Sequence, residues 1–180
     1  MPDHFFKALS IRPARVEDAA TIFSLQKLCY SEDFYEEESA FRSKITSAQN
    51  LCWVAEDSAG LLAYVLSVPA KRGQLPCLNT LDYQAPDDAD VLYLHDLSIF
   101  PRARRRGLKR LLLDKVFAQA SQYGFLQVCL IAVQGSVPMW QKEGFTVVDC
   151  VAEILQSYGA DAQLMVKALK NIDEAKSNDK

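Results

Sequence analysis

The sequence has 180 residues, of which 49% are hydrophobic and 24% are charged, and its formal net charge is -3. This composition is typical of one globular domain with its own core, and it excludes an intrinsically disordered chain. The acidic balance argues against a protein that binds nucleic acid over its whole surface, because such proteins are usually basic. We therefore expect a single domain over residues 1–172 and a polar tail over residues 173–180.

Membrane, export and redox signals together favour a cytoplasmic protein. The longest apolar runs, residues 61–68 and 128–133, have the length of strands and are too short to be transmembrane helices. Residues 1–7 lack the basic start and long apolar stretch of a signal peptide. The five cysteines are odd in number and show no paired spacing, so we expect reduced thiols and neither a disulfide frame nor a metal site.

The first half of the chain predicts two helices followed by a hairpin. The elements, in chain order, are a strand over 8–12, a helix that begins near 15–18 and extends to Cys29, a helix over 36–47, and strands over 52–56 and 61–68. Residues 71–90 follow, with two prolines, one glycine and four aspartates. They are predicted to form a long surface loop, which is either functional or simply mobile.

The second half predicts alternating strands and helices. The elements are a strand over 91–99 that stops at Pro101, a helix over 107–122 capped by Gly124, an apolar strand over 126–133, a short helix over 137–142, and late strands over 145–151 and 163–168. The whole order predicts a three-layer mixed α/β domain.

A basic turn precedes the strongest predicted helix. Six of the nine residues from 102 to 110 are cationic: Arg102, Arg104, Arg105, Arg106, Lys109 and Arg110. A helix N-terminus presents unpaired N–H groups and a partial positive charge, so it binds phosphates, and crowded cations there are unfavourable unless an anion is present. Three interpretations are open: a pyrophosphate site, a solvated charge run, and a nucleic-acid patch, which the overall acidity disfavours.

Two motifs in this half resemble the GNAT superfamily of acetyltransferases. The segment LHDLSIFP at 94–101, with RRRGLK at 104–109, resembles the superfamily's strand and its Arg/Gln-x-x-Gly-x-Gly/Ala turn. Arg104 and Gly107 match the first two marked positions of that turn, whereas Lys109 departs from the third. The segment VPMWQKEGF at 137–145 is similar to the late aromatic-x-x-x-Gly-Phe motif, and residues 11–19 fit the usual opening. Within the superfamily, the Leu-His and Val-Pro-x-aromatic-Gln segments are most similar to those of arylalkylamine N-acetyltransferases.

The resemblance implies an α/β GNAT-type fold, with a mixed and mostly antiparallel sheet, a splayed central strand pair and helices on both faces. It also implies acetyl-CoA as co-substrate, with the strand pairing to the pantetheine arm and the turn holding the pyrophosphate. The cofactor contacts that it implies are Leu97, Ser98, Ile99, Arg104, Arg105, Arg106, Gly107, Leu108, Lys109, Arg110 and Trp140.

His95 is the candidate general base, because it aligns with a histidine credited with that role in the arylalkylamine enzymes. An unperturbed imidazole, with a pKa of about 6.5, accepts a proton at neutral pH. The alternative is a histidine that only completes a structural hydrogen bond, and the second histidine, His4, precedes the predicted elements. The subfamily's other histidine position is Tyr93 here, and Asp96 is expected to point to the opposite sheet face if the strand is regular.

Trp140 stands where many members carry the tyrosine that protonates the leaving thiolate. Its indole N–H has no useful acidity, so we expect Trp140 to donate a hydrogen bond to sulfur, to wall the pocket or to pack in the core. A thiol with a pKa of about 8.5 is a tolerable leaving group without an acid. Tyr158 is a candidate substitute whose place in the fold the sequence does not give.

The acceptor is expected to be a small primary amine, such as an arylalkylamine or polyamine, that attacks directly in a ternary complex. Acidic runs at 32–33, 36–38 and 87–90 either attract such a cation or are solvated, and Phe34, Tyr35 and Phe41 either line the pocket or belong to the core. An ordered loop 71–90 over the site would favour small molecules, and an open groove would favour peptides. The alternatives are a protein N-terminal or lysine acetyltransferase and a non-catalytic CoA-binding sensor. A homodimer is a further possible partner arrangement, whereas nucleic acid and membrane are not expected.

Overall fold

The computed structural model describes residues 9–48 and 50–169, so His4 and the predicted tail at 173–180 lie outside the described residues. The strands are β1 (Ser10–Pro13), β2 (Trp53–Asp57), β3 (Gly60–Ala70), β4 (Val91–Ile99), β5 (Gln127–Ala132), β6 (Thr146–Val147) and β7 (Gln163–Ala168). The α-helices are α1 (Ala19–Gln26), α2 (Glu38–Ala48), α3 (Leu108–Gln122), α4 (Val137–Lys142) and α5 (Ala152–Leu155). Short 3-10 turns lie at Val16–Asp18, Glu32–Phe34, Pro101–Ala103 and Gln156–Tyr158.

The seven strands form one open sheet in the order β1-β2-β3-β4-β5-β7-β6. The predicted hairpin is confirmed, because β2 and β3 are antiparallel neighbours. The pair β4 and β5 is parallel, and it is joined only at Leu92–Val128 and Tyr93–Cys129. Beyond Tyr93, β4 stays paired with β3 and β5 stays paired with β7, so the two central strands diverge. The expected mixed, mostly antiparallel sheet with a splayed central pair is therefore confirmed.

Helices cover both faces of this sheet. Val54 and Tyr64 are paired across β2 and β3, so they share a face, and Trp53 points to the other one. Tyr64 contacts Phe41 of α2 with ring centroids 6.5 Å apart. The Lys115 ammonium of α3 lies 5.5 Å from the Trp53 ring. The helices α2 and α3 therefore pack on opposite faces, and the three-layer prediction is confirmed.

A β-bulge interrupts β4 at the point where it leaves β5. Leu66 of β3 pairs with Asp96, but the next residue, Ser67, pairs with Leu94. His95 is the extra residue, because it has no partner in the β3 register. A bulge bends its strand and re-aims the side chains beside it. The expectation that His95 and Asp96 point to opposite faces required a regular strand, and the strand is not regular at this point.

One further segment differs from its predicted element, and the predicted loop is anchored. The late strand expected over 145–151 is only Thr146–Val147, because its partner β7 begins at Gln163 and the Val148 N–H already bonds Leu164 O near that end. Residues 71–90 carry only an isolated bridge between Lys71 and Gln74, as expected for a loop, yet the loop is anchored. Within residues 9–48 and 50–169, no helix is both long and apolar enough to cross a membrane.

Candidate active site

A cavity of about 180 Å³ lies where β4 and β5 diverge. Residues 94–97 of β4 form one wall, and Leu130 and Ile131 of β5 form another. Met139 and Trp140 of α4, with Tyr158, add a third side. The remaining lining residues come from connecting segments: Tyr30, Phe34, Glu36, Leu78, Val133, Gln134 and Ser136. The splay of the sheet thus creates a pocket in which polar groups from distant segments converge.

His95 and Glu36 form a short polar contact in the wall of this cavity. The His95 Nε2 atom lies 2.5 Å from Glu36 Oε1, and both side chains are buried, with exposed fractions of 1% and 3%. Burial by itself would raise the pKa of Glu36, but the adjacent His95 and Lys44 lower it to about 2. Glu36 is therefore a carboxylate at neutral pH, and Nε2 of His95 donates its hydrogen to it.

The Glu36 carboxylate is held by two other donors. Lys44 Nζ of α2, a fully buried ammonium, donates to Oε2 at 2.7 Å, and the backbone N–H of Asn79 donates to the same oxygen at 2.7 Å. The Gln26 side chain in turn bonds both backbone groups of Glu36, at 2.6 and 2.9 Å. The acidic run at 36–38 is therefore not uniformly solvated, since its first residue is an anchored part of the cavity wall.

The second ring nitrogen of His95 has no partner among the described residues. Its Nδ1 atom is buried and makes no hydrogen bond. The nearby Tyr93 ring contacts the imidazole edge-on, with centroids 5.5 Å apart. In the tautomer whose Nε2 hydrogen bonds Glu36, Nδ1 is a free acceptor.

Asp96 follows His95 but serves a different hydrogen-bond network. Its carboxyl accepts bonds from the Tyr30 hydroxyl at 2.6 Å and from the Tyr64 hydroxyl at 2.5 Å. Burial raises the pKa of Asp96, although the two tyrosine donors oppose that change. The bulge brings His95 and Asp96 to the same cavity, yet the group that bonds His95 is Glu36.

Two aromatic residues close the far side of the cavity. Trp140 is buried and packs edge-on against Phe145, with centroids 5.5 Å apart. Tyr158, which the sequence left unplaced, is buried in the 3-10 turn Gln156–Tyr158, a segment for which no element was predicted. Its hydroxyl accepts from Tyr93 at 2.9 Å and donates to Pro76 O at 3.0 Å, and burial raises its pKa.

The basic turn lies outside this cavity, at the end of the same strand. Arg105 and Gly107 adopt left-handed backbone conformations, with φ of 63° and 77°. Gly107 precedes the 15-residue helix α3, whose N-terminus receives no side-chain cap and has no acidic residue in its first turn. Arg104, Arg105 and Arg106 are exposed. The turn therefore presents free helix N–H groups and cationic side chains to solvent.

The predicted cofactor residues are divided between these two places. Leu97 lines the cavity with His95 and Trp140, whereas Ser98 is buried and the turn residues lie beyond Ile99. The Ile99 carbonyl accepts from Arg104 Nε at 3.4 Å, and the Leu97 carbonyl lies 3.4 Å from the Tyr30 hydroxyl. The residues from 97 to 107 thus form a continuous path from the cavity to the basic turn.

Two of the predicted cationic contacts already have carboxylate partners. Lys109 Nζ lies 2.5 Å from Glu143 Oε1, just after α4, and Arg110 pairs with Asp114 at 3.0 Å along α3. Lys109 therefore links the start of α3 to the segment that carries Trp140. A phosphate would have to share this ammonium with Glu143.

Three solved structures illustrate the shared fold, and two of them are named N-acetyltransferases. Ard1 from Thermoplasma volcanium superposes with a TM-score of 0.70 at 13% identity, covering 91% of this chain and 99% of that one. The ribosomal-protein-S18-alanine N-acetyltransferase from Escherichia coli gives 0.64 at 14% identity, covering 91% and 95%. The PaiA N-acetyltransferase from Thermoplasma acidophilum, in complex with coenzyme A, gives 0.65 at 16% identity, covering 89% and 99%.

Sequence comparison gives an independent result. No curated protein sequence matches the chain. A model of the Acetyltransferase (GNAT) family, however, matches residues 19–145, a span that includes the splayed strands, the basic turn and Trp140. The chain belongs to the GNAT acetyltransferase family.

Proposed function

We propose that the protein transfers the acetyl group of acetyl-CoA to the primary amine of a small molecule, by direct attack in a ternary complex. The observation that carries this proposal is His95, a buried imidazole on the cavity wall with one nitrogen bonded to Glu36 and the other unpartnered. Such a ring can remove a proton from an ammonium group bound in the cavity.

The transfer then needs an acceptor for each of the two protons that the ammonium loses, and one leaving group. The Nδ1 atom of His95 takes the proton, and the freed amine nitrogen attacks the thioester carbonyl carbon. The C–S bond breaks as the amide forms, and the electron pair leaves with sulfur. The second proton lost by the amine nitrogen ends on the CoA thiolate, which is released as free thiol. Glu36 stabilises the imidazolium through Nε2, and the enclosure of both reactants supplies proximity.

The cofactor arm is assigned to the path from Leu97 to Lys109. In this proposal the N–H groups at the start of α3, with Arg104, Arg105 and Arg106, bind the pyrophosphate. Backbone groups of Leu97, Ser98 and Ile99 at the splay pair with the pantetheine arm, and an amide there polarises the thioester carbonyl. The PaiA structure, which shares this fold, was solved in complex with coenzyme A.

An anchored loop supports a small acceptor over a peptide. The Asn79 N–H bonds Glu36, and the Asn79 side chain accepts the Glu37 N–H at 2.7 Å. The Leu78 N–H bonds the Ser157 hydroxyl at 3.1 Å, and the Leu78 side chain lines the cavity. Loop 71–90 therefore covers one side of the site, as expected for an enzyme that encloses a small molecule.

The cavity lining indicates the shape of that acceptor. Tyr30, Phe34 and Trp140 give the walls an aromatic character, whereas Tyr35 is placed outside the lining and Phe41 is fully buried in the core. An amine on an aromatic stem, an arylalkylamine, fits this lining better than a polyamine does. Trp140 is assigned a role as a pocket wall, and the thiolate leaves without a dedicated acid.

We also propose a cytoplasmic location. All five cysteines are free thiols, and disulfides are rare in the reducing cytosol. The homodimer stays a prediction.

The test is release of free CoA thiol from acetyl-CoA with a panel of amines: arylalkylamines, polyamines, and peptides with a free N-terminus or a lysine. We expect arylalkylamines to be the best acceptors, and we expect His95→Gln to lower kcat/KM about 100-fold or more while acetyl-CoA binding is retained. Peptides as the best acceptors would favour protein acetylation, the activity named for the S18-alanine enzyme. Binding of acetyl-CoA without turnover of any amine would favour a sensor.

A further inference from the structure

We propose that the buried ion pair of Glu36 and Lys44 sets the state of His95, with Glu36 as its positioning residue and Lys44 as the counter-charge that keeps the resting ring neutral. This inference rests on the proposed function, because it explains how the candidate base is kept ready. Neither residue carried a signal of this role in the sequence.

The three side chains form a continuous hydrogen-bonded chain, with Glu36 between His95 and Lys44. Glu36 uses Oε1 for His95 Nε2, at 2.5 Å, and Oε2 for Lys44 Nζ, at 2.7 Å. The three side chains are at most 3% exposed, so water does not replace these bonds. Glu36 therefore fixes the orientation of the ring and holds its hydrogen on Nε2, which leaves Nδ1 as the acceptor.

Charge balance explains why the lysine is present. A lone buried carboxylate at 2.5 Å would favour an imidazolium, and an imidazolium accepts no proton. Lys44 neutralises Glu36, so the pair adds no net charge beside the imidazole. When the substrate delivers a proton to the ring, the carboxylate stabilises the new charge.

The other titratable groups near His95 do not replace this pair. Tyr93 and Tyr158 are buried, and burial raises the pKa of both, so they remain neutral. The Asp96 carboxyl is occupied by Tyr30 and Tyr64. Of the described ionisable groups, Glu36 is the one within hydrogen-bonding distance of the imidazole.

Glu36 itself is poorly suited to be the base. It already accepts bonds from His95, Lys44 and the Asn79 N–H. Its pKa of about 2 means that it holds a proton weakly at neutral pH. Glu36 therefore affects the reaction by positioning His95.

The test compares pH profiles of kcat/KM for the wild type, Glu36→Gln, Lys44→Met and the double variant, in which a neutral pair replaces the ionic one. We expect Glu36→Gln to lose about 10-fold or more in activity and to move the acidic limb of the profile to lower pH by about one unit. Lys44→Met should move that limb to higher pH, because the carboxylate then lacks its counter-charge. Glu38→Gln is the matched control, because Glu38 lies on the helix that carries Lys44 but forms an exposed pair with Arg42. This variant should change neither the activity nor the acidic limb of the profile.

A second readout does not depend on turnover. The chain has two histidines, so ¹⁵N spectra of the protein, with His4→Ala for assignment, report the ring state of His95 directly. We expect a neutral ring with its hydrogen on Nε2 at pH 7, and a change of tautomer population in Glu36→Gln. Each single variant leaves one buried charge without its counter-charge, which destabilises the fold. The double variant leaves no unpaired buried charge, so it tests the inference in a protein that folds.

The outcomes separate the two proposals. An inactive wild type with the expected ¹⁵N tautomer would overturn the proposed function and leave the structural role of Glu36 intact. An active wild type whose pH limb and tautomer are unchanged in Glu36→Gln and in the double variant would overturn this inference alone.

Discussion

At the scale of single residues, neither aromatic side chain on the far side of the cavity is suited to protonate the leaving thiolate. Trp140 offers only an indole N–H, which does not protonate a thiolate. Tyr158 lines the same cavity, but its hydroxyl donates to Pro76 O, and burial raises its pKa, which makes it a weaker acid than an exposed tyrosine. The candidate substitute acid thus belongs to a structural hydrogen-bond chain.

Replacing Tyr158 with phenylalanine should therefore cost stability more than turnover. The variant loses the bond to Pro76 and the bond from Tyr93, about 1–2 kcal/mol in total, or a few degrees in Tm. We expect kcat to fall by less than about 10-fold. Thermal unfolding and single-turnover CoA release measure the two effects, and a kcat loss of about 100-fold or more with unchanged Tm would assign Tyr158 the acid role instead.

The pKa of Glu36 also predicts how stability depends on pH. It is lowered from 4.5 to about 2 in the folded protein, so the folded state binds fewer protons than the unfolded one in that range. The stabilisation, on the order of 3 kcal/mol, is present above about pH 4.5 and is lost as the pH falls towards 2. Urea unfolding at pH 7 and pH 3 should show this loss in the wild type and a smaller one in the Glu36→Gln/Lys44→Met variant. Equal losses in both proteins would contradict the lowered pKa.

At the scale of elements, two local features of the sheet and helices organise the site. The bulge at His95 lies where β4 leaves β5, so the re-aimed side chain and the opening of the sheet occur at the same place. The contact between Lys109 and Glu143 then joins the start of α3 to the end of α4. Lys109, which makes this salt bridge, stands at the family's third turn position, where the usual residue is glycine or alanine.

Freeing Lys109 should strengthen cofactor binding. Glu143→Gln removes a carboxylate beside the basic turn, and we expect the Kd for acetyl-CoA to fall about 2–5-fold at low salt, as for a surface ion pair of up to about 1 kcal/mol. Lys109→Met should raise the Kd by a similar factor, and both effects should shrink at high salt. Calorimetric titration at two salt concentrations measures this. Unchanged binding in both variants would place the phosphates away from Lys109.

At the scale of the whole molecule, a net charge of -3 coexists with a cationic turn at one helix start. Acetyl-CoA at about 100 times its Kd should stabilise the fold by about 2.7 kcal/mol, or about 5–10 °C in Tm. The shift should disappear in Arg105→Glu/Arg106→Glu, whose parent side chains are exposed. A full shift in that variant would mean that these arginines do not hold the pyrophosphate, and no shift in the wild type would remove the cofactor assignment.

Sequence alone determined the parts of this protein that depend on local signals. The predicted helix over 107–122 is confirmed as α3, with Gly124 at φ 80° after its end, because helical periodicity and glycine's freedom at positive φ act within a few residues. The predicted strand over 91–99 is confirmed as β4. The two motifs indicated the GNAT family, and the family model that matches residues 19–145 confirms it.

Tertiary structure decided what the site contains. Glu36 and His95 are 59 residues apart in the chain, and Tyr158 and Pro76 are 82 apart, so no local pattern records their contacts. In the sequence, Glu36 stands in an acidic run and is compatible with a solvated helix start. Lys44 stands on a predicted helix and is compatible with an exposed position. Only the packing of α2 against the splayed sheet buries Glu36 with Lys44, where each charge needs the other.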